Sequence, residues 1–226
     1  MHSRMTGAIA NLISLERIAE LLPRFVGTAP LTDSQVSAIR IYIELLLKWN
    51  SKLNLTAIRD PEEIVSRHFG ESLFAARQLF PAADSHESVI DVGSGAGFPG
   101  LPLKLWSQNI DLTLIESNQR RATFLREVIR TLDLRLAVVL SQRAESVSLR
   151  ADFVTLRAVE RFERVLPAAF GLLKPRGRIA ILIGEAQVDL AQSILPDVEW
   201  KDSMPIPSSK SRRLLIGKRR VPQTTL

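Results

Sequence analysis

The chain has 226 residues, 46% of them hydrophobic and 24% charged, the composition of a globular protein with room for one full core. It has no cysteine and only three histidines, which excludes disulfides and thiolate metal sites and argues against any metal centre; no apolar run reaches the ~18 residues of a membrane span. A net charge of +6 favours a polyanionic partner such as RNA, because neutralising phosphates releases counterions.

Met1 to Asn11 lacks an apolar stretch with a cleavage site, so a cytoplasmic protein is expected. Ile9, Leu12, Ile13, Ile18, Ala19 and Leu22 keep helical spacing and stop at Pro23. Thr32 and Gln35 form a capping-box pattern ahead of Val36, Ile39, Ile43, Leu46 and Leu47, a helix expected to end near Lys48-Trp49-Asn50. Asp60 followed by Pro61-Glu62-Glu63 opens another, with Ile64, Val65, Phe69, Leu73, Ala76 and Leu79 on one side. From residue 88 short apolar runs alternate with helical stretches, the pattern of βαβ units and a parallel sheet. Strands are expected at Val89–Val92, Leu112–Glu116, Leu136–Leu140, Phe153–Leu156, Ile179–Ile183 and Leu214–Lys218, with a further one at Val198–Met204. Helices are expected over Pro99–Trp106, after a Ser117 cap, and over Val165–Leu173, the last closing in a turn at Lys174-Pro175-Arg176-Gly177.

The stretch from Val89 to Gly100 carries the chemistry. A buried strand ends in Asp91-Val92, and Gly93, Gly95 and Gly97 let the backbone turn tightly at the place where doubly wound sheets bind ligands. Gly95 to Gly100 formally satisfies the dinucleotide spacing, but two residues too late after the strand and with Asp91 unexplained. The apolar-apolar-Asp-x-Gly-x-Gly-x-Gly register is similar to the first motif of class I methyltransferases, where the glycine turn meets the amino-acid end of S-adenosylmethionine. Glu116, ending the second strand, stands where an acid takes ribose hydroxyls, which identifies a ribose rather than one cofactor. Ala144 and Glu145, after the third strand, are the adenine-side candidates, although Glu145 alone also reads as a solvated acid at a helix start. The expected fold is thus α/β: a class I S-adenosylmethionine-dependent methyltransferase, with a Rossmann-like, doubly wound, mostly parallel sheet over residues 85–226. Residues 1–84 are expected to be a helical extension packed on it.

The chain resembles the small-subunit ribosomal RNA methyltransferase G family (glucose-inhibited division protein B) from about residue 35 to 218. The resemblance rests on Lys48-Trp49-Asn50 with Asn54-Leu55-Thr56, Arg67-His68, Asp91 to Gly100, Arg120-Arg121-Ala122, Arg143-Ala144-Glu145, Arg157-Ala158 and Arg213-Leu214-Leu215. It implies S-adenosylmethionine as donor, S-adenosylhomocysteine as product, and N7 of one guanine in 16S rRNA of the small ribosomal subunit as acceptor. It also implies cofactor contacts at Gly93, Phe98, Ala144, Glu145 and Arg157. Three positions depart from what the family usually carries: Glu71 in place of Asp, Glu160 in place of a small residue, and Ile183 where Lys often precedes Gly184.

Guanine N7 has a lone pair and no proton, so no general base is assigned and alignment should supply much of the rate. Arg157 is expected in the crevice, facing a phosphate or the guanine edge, or else paired with Glu160 or Asp152. Arg67, His68, Arg120, Arg121 and Arg213 complete the RNA candidates, with His68 equally readable as a core residue and Trp49 and Asn54 as ties between helices and sheet. A monomer without DNA or membrane partners is expected. The rival readings are a Rossmann oxidoreductase and a nucleic-acid-binding adaptor without catalysis.

Overall fold

A computed structural model describes residues 13–157, 159 and 161–220. Helix α1 (Leu15–Leu21) is capped by Ser14, whose hydroxyl accepts from the Arg17 N–H. The part of the expected first helix before residue 13 lies outside the described residues. Pro23, expected to stop it, instead starts α2 (Pro23–Val26), since a first-turn residue needs no N–H partner. Helix α3 (Asp33–Leu53) opens with the full Thr32/Gln35 capping box and runs past Asn50 to end at Asn54, which takes the left-handed conformation. Asp60 caps α4 (Pro61–Glu63), which passes without a break into a π-helical turn at Ile64–Gly70 and then α5 (Glu71–Leu79).

The remainder alternates strand and helix: β1 (Ser88–Val92), α6 (Gly100–Trp106), β2 (Asp111–Ile115), α7 (Gln119–Thr131), β3 (Ala137–Leu140), β4 (Ala151–Arg157), α8 (Phe162–Gly171), β5 (Leu173–Gly184), α9 (Val188–Ile194), β6 (Val198–Trp200), β7 (Met204–Pro205) and β8 (Arg212–Arg219). The sheet order is β3-β2-β1-β4-β5-β8-β6, with β1 to β5 parallel and β8 antiparallel to β5. The chain therefore reverses direction across the sheet at β1, between β2 and β4, where their C-terminal ends open a crevice.

Three further expected elements differ. The run Lys174–Gly177 is not a turn before β5 but a bulge within it: Ala151 pairs with Leu173 and Phe153 with Arg178, so the intervening residues loop out, Arg176 in the left-handed region. Lys174 uses the excursion to reach Asp152 at 2.8 Å, which also accepts from the Ser88 hydroxyl. The strand expected over Val198–Met204 is split into β6 and β7, both paired with β8. Helix α7 is capped not by Ser117 but by Asn118, whose side chain accepts from the Arg120 and Arg121 N–H groups.

Side chains alternate between the faces of the sheet. Val89, Leu112, Leu114, Phe153 and Leu182 point to the N-terminal helices, α6 and α7; Ile90, Val154, Leu156, Ile181 and Leu215 point to α8 and α9. The first face buries Ile18, Phe25, Ile39, Tyr42, Ile43, Phe69 and Phe80 from the N-terminal helices in the same cluster as the strands. Among the described residues no helix is long and apolar enough to cross a membrane.

Candidate functional site

The loop after β1 is held from below. The Gly93 and Ser94 N–H groups donate to the Ile115 carbonyl at 2.9 and 3.1 Å, and Gly97 N–H donates to Ser94 O. Gly97 has φ +89°, and a Cβ there would run into the Tyr42 hydroxyl and Leu101, so only glycine fits. Tyr42 itself donates to the Ala96 carbonyl. Asp91 lies behind the loop, fully buried, accepting from the Thr155 hydroxyl at 2.7 Å; burial pushes its carboxyl up to about 6.

Glu116 stands at the end of β2 with both oxygens engaged. One accepts from Gly95 N–H at 2.9 Å and the other from Asn118 N–H at 2.7 Å, so the carboxylate ties the glycine loop to the start of α7. Each oxygen keeps a further lone pair for an incoming hydroxyl. Ala144 is buried in a short 3₁₀ turn (Ala144–Ser146), and Glu145 beside it pairs with Arg164 at 3.2 Å.

Phe98 joins the loop to the N-terminal helices. Its ring lies parallel to Tyr42 (centroids 5.4 Å apart, 6° between planes) and stacks on His68 at 4.7 Å. His68 Nε2 meets the Thr56 hydroxyl at 2.8 Å, and that oxygen also accepts from Ile58 N–H. The Asn50 side chain in turn clasps the backbone of Thr56, donating to its carbonyl and accepting from its N–H, both at 2.9 Å. The Trp-Asn…Asn-Leu-Thr segment is thus a turn that fixes Thr56 against His68, with Trp49 packed on Phe124 of α7. Burial, with Arg157, Arg67 and Arg212 nearby, lowers the His68 pKa to about 3 and keeps the ring neutral.

Arg157 ends β4 and turns inward, its side chain 7% exposed. Of the two partners expected for it, Glu160 lies outside the described residues and Asp152 is taken by Lys174. Its Nη2 donates to the Glu71 carboxylate at 2.9 Å and to the Arg67 carbonyl at 2.7 Å, and Arg212 approaches the same Glu71 oxygen at 3.6 Å. Burial lowers the Arg157 pKa to about 10, so it stays charged at neutral pH.

These groups border one pocket of about 790 Å³, within the range of ligand sites. Gly93, Phe98, Glu116, Ala144, Glu145 and Arg157 all line it, as do Arg67, His68 and Arg121 of the RNA candidates. Arg120 and Arg213 do not; Arg213 is committed to Glu185 beyond the rim. Arg67 is exposed and paired with Glu63 at 3.1 Å. Sequence reasoning missed Tyr42, and marked Glu71 only as a departure from the family and Arg212 only as one of a group of basic residues. Tyr42, the only tyrosine, sits on the apolar stripe of α3, where its hydroxyl had to find a buried acceptor, and that was the available signal. Glu71 and Arg212 meet Arg157 from 86 and 55 residues away, for which no local pattern exists.

The family profile described as rRNA small subunit methyltransferase G matches residues 35–197. The ribosomal RNA small subunit methyltransferase G of Chloroflexus aggregans is 36% identical over 202 residues, covering 83% of each chain. That of Roseiflexus sp. (strain RS-1) is 41% identical over 155 residues, 66% of this chain and 65% of that protein. Among solved structures, a SAM-dependent methyltransferase from Aquifex aeolicus superposes with TM-score 0.57 at 17% identity, over 74% of this chain and 97% of that one. M. jannaschii TYW2 in complex with AdoMet gives 0.53 at 19% identity, over 67% and 77%. At such identities the structural likeness speaks for the fold alone.

Proposed function

The chain belongs to the rRNA small subunit methyltransferase G family, and from that premise we propose that it transfers a methyl group from S-adenosylmethionine to N7 of a guanine in 16S rRNA, in the cytoplasm, during small-subunit maturation. The observation that carries this reading is the continuity of the pocket. It runs from Glu116, Ala144 and Glu145 past the glycine loop to Phe98, and on to Thr56, His68 and Arg157, so that a nucleoside and an inserted base have adjoining places.

The residues fit the donor. A Cβ on Gly93 would come within 2.9 Å of Val159 across the pocket, so the glycine preserves that space, and the buried Glu116 carboxylate retains lone pairs for ribose hydroxyls. Gly93 and Phe98 border the amino-acid end, Glu116 the ribose, and Ala144 with Glu145 the adenine. The sulfonium supplies the electrophilic methyl. The acceptor nitrogen has no proton to lose, so the chain's own work is to bind, orient and exclude water. Phe98, stacked between Tyr42 and His68, forms a rigid wall between the two ends. Neutral His68 adds no positive charge next to a base that becomes cationic on methylation.

The test is transfer from labelled donor to small subunits and to naked 16S rRNA, followed by mapping. One N7-methylguanine is expected, visible as a single strand break after reduction and aniline treatment. Label on a different base, or on protein, would sink the acceptor assignment. External bases should not stimulate turnover of any site variant.

A further inference from the structure

We propose that Glu71 is a positioning residue for methyl transfer: its buried carboxylate holds the Arg157 guanidinium, with that of Arg212 beside it, at the inner end of the pocket. Glu71 does not line the pocket and touches neither reactant there; Arg157 and Arg212 do line it. One carboxylate oxygen serves both cations, at 2.9 Å for Arg157 and 3.6 Å for Arg212, and these come from the ends of β4 and β8. The carboxylate itself comes from the first turn of α5 and is 3% exposed.

Two features of the cluster set it apart from a plain structural tie. Burying two ions and most of a third is costly, and an apolar cluster of equal volume would hold these elements together at least as well, so stability alone does not account for the arrangement. The grip is also incomplete: Arg157 Nη1 and Arg212 Nε are buried without an acceptor among the described residues, although both side chains border the pocket. Without the Glu71 charge the two guanidiniums would repel, and of its acceptors among the described residues Arg157 would keep only the Arg67 carbonyl. The π-helical turn Ile64–Gly70 puts that carbonyl and Glu71 on the same donor nitrogen, so both anchors of Arg157 lie in one stretch of helix.

The inference rests on reading the pocket as the donor site, so binding of S-adenosylhomocysteine to the wild-type protein is measured first. No binding there refutes the cofactor reading itself, and this inference with it. Glu71→Gln keeps the size and one acceptor oxygen but removes the charge. It should weaken S-adenosylhomocysteine binding and raise the donor KM about tenfold, with kcat at saturation changed less than about threefold. Arg157→Gln should do the same, and the double variant should be no worse than Arg157→Gln alone, since the two residues act as a unit. Wild-type affinity in Glu71→Gln, or losses that add in the double variant, would overturn the proposal. If Glu71→Gln does not fold, Glu71→Asp decides: weakened binding at an unchanged melting temperature supports positioning, and binding that falls only in step with stability overturns it.

Discussion

Gly97 sits where three demands meet: a positive φ, the Tyr42 hydroxyl, and the start of α6. Gly97→Ala should therefore cost about 3 kcal/mol or more, the sum of a strained backbone and an overpacked contact, and abolish S-adenosylhomocysteine binding, as read by calorimetry and urea unfolding. His68 gives a pH signature. Its folded pKa of about 3 lies below the ordinary 6.5, so it contributes stability that is complete above pH 6.5 and lost as pH falls towards 3. Asp91 runs the other way: its folded value of about 6 exceeds 3.8, so its penalty is full above pH 6 and relieved on acidification. The stability gap between wild type and His68→Gln should thus shrink by about 2 kcal/mol from pH 7 to pH 5, and a constant gap would contradict a neutral buried ring. At this scale the sequence marked Gly93 to Gly97 and Glu116 because their chemistry is local: a turn, and an acid ending a strand. It left His68 undecided between core and RNA contact, because the Thr56 and Phe98 partners that define it are tertiary.

Helices here were legible from their caps, and their interiors less so. Thr32 and Asp60 announce α3 and α4 through side chains that can reach only the next turn. Nothing in the Ile64–Gly70 run distinguishes π from α winding, since the apolar spacing suits either, and the wider turn is visible only in the folded backbone. The Asn118 cap was displaced in expectation by Ser117 because both residues are good caps and the Glu116 carboxylate, by binding Asn118 N–H, decides between them. Asn118→Ala should lower the unfolding free energy by about 1 kcal/mol and leave transfer at saturating donor nearly unchanged. The link from α3 to the loop is more consequential. Tyr42→Phe leaves the Ala96 carbonyl unpaired in a buried place, and should cost about 1–3 kcal/mol and raise the donor KM several-fold, while a variant with wild-type KM would show that α3 does not brace the loop.

For the whole molecule, the alternation of short apolar runs with helical stretches was enough to expect a doubly wound sheet, because burial on both faces demands that pattern. The bulge in β5 and the split of β6 from β7 escaped, as both arise from pairing with strands distant in sequence. The N-terminal helices share one buried cluster with the sheet, from Ile18 to Ile216, so a chain lacking residues 1–84 should be insoluble or lack a cooperative melting transition. The basic surface has a measurable consequence too. RNA affinity should fall at least about tenfold between 50 and 200 mM salt, and Arg120→Ala with Arg121→Ala should each reduce the slope by about one; a flat response would remove the electrostatic account.

The meeting of Glu71 with Arg157 and Arg212 also bears on how the protein is made. The carboxylate emerges from the ribosome long before the guanidiniums it will bind, one of which belongs to the last strand. That acid gains Arg157 only when β4 is in place and Arg212 only when β8 docks, a long-range closure of the kind that slows folding and leaves apolar surface open to aggregation. Every other residue lining the pocket precedes Arg212 in the chain, so that side chain is the last to be made and the last to reach the site.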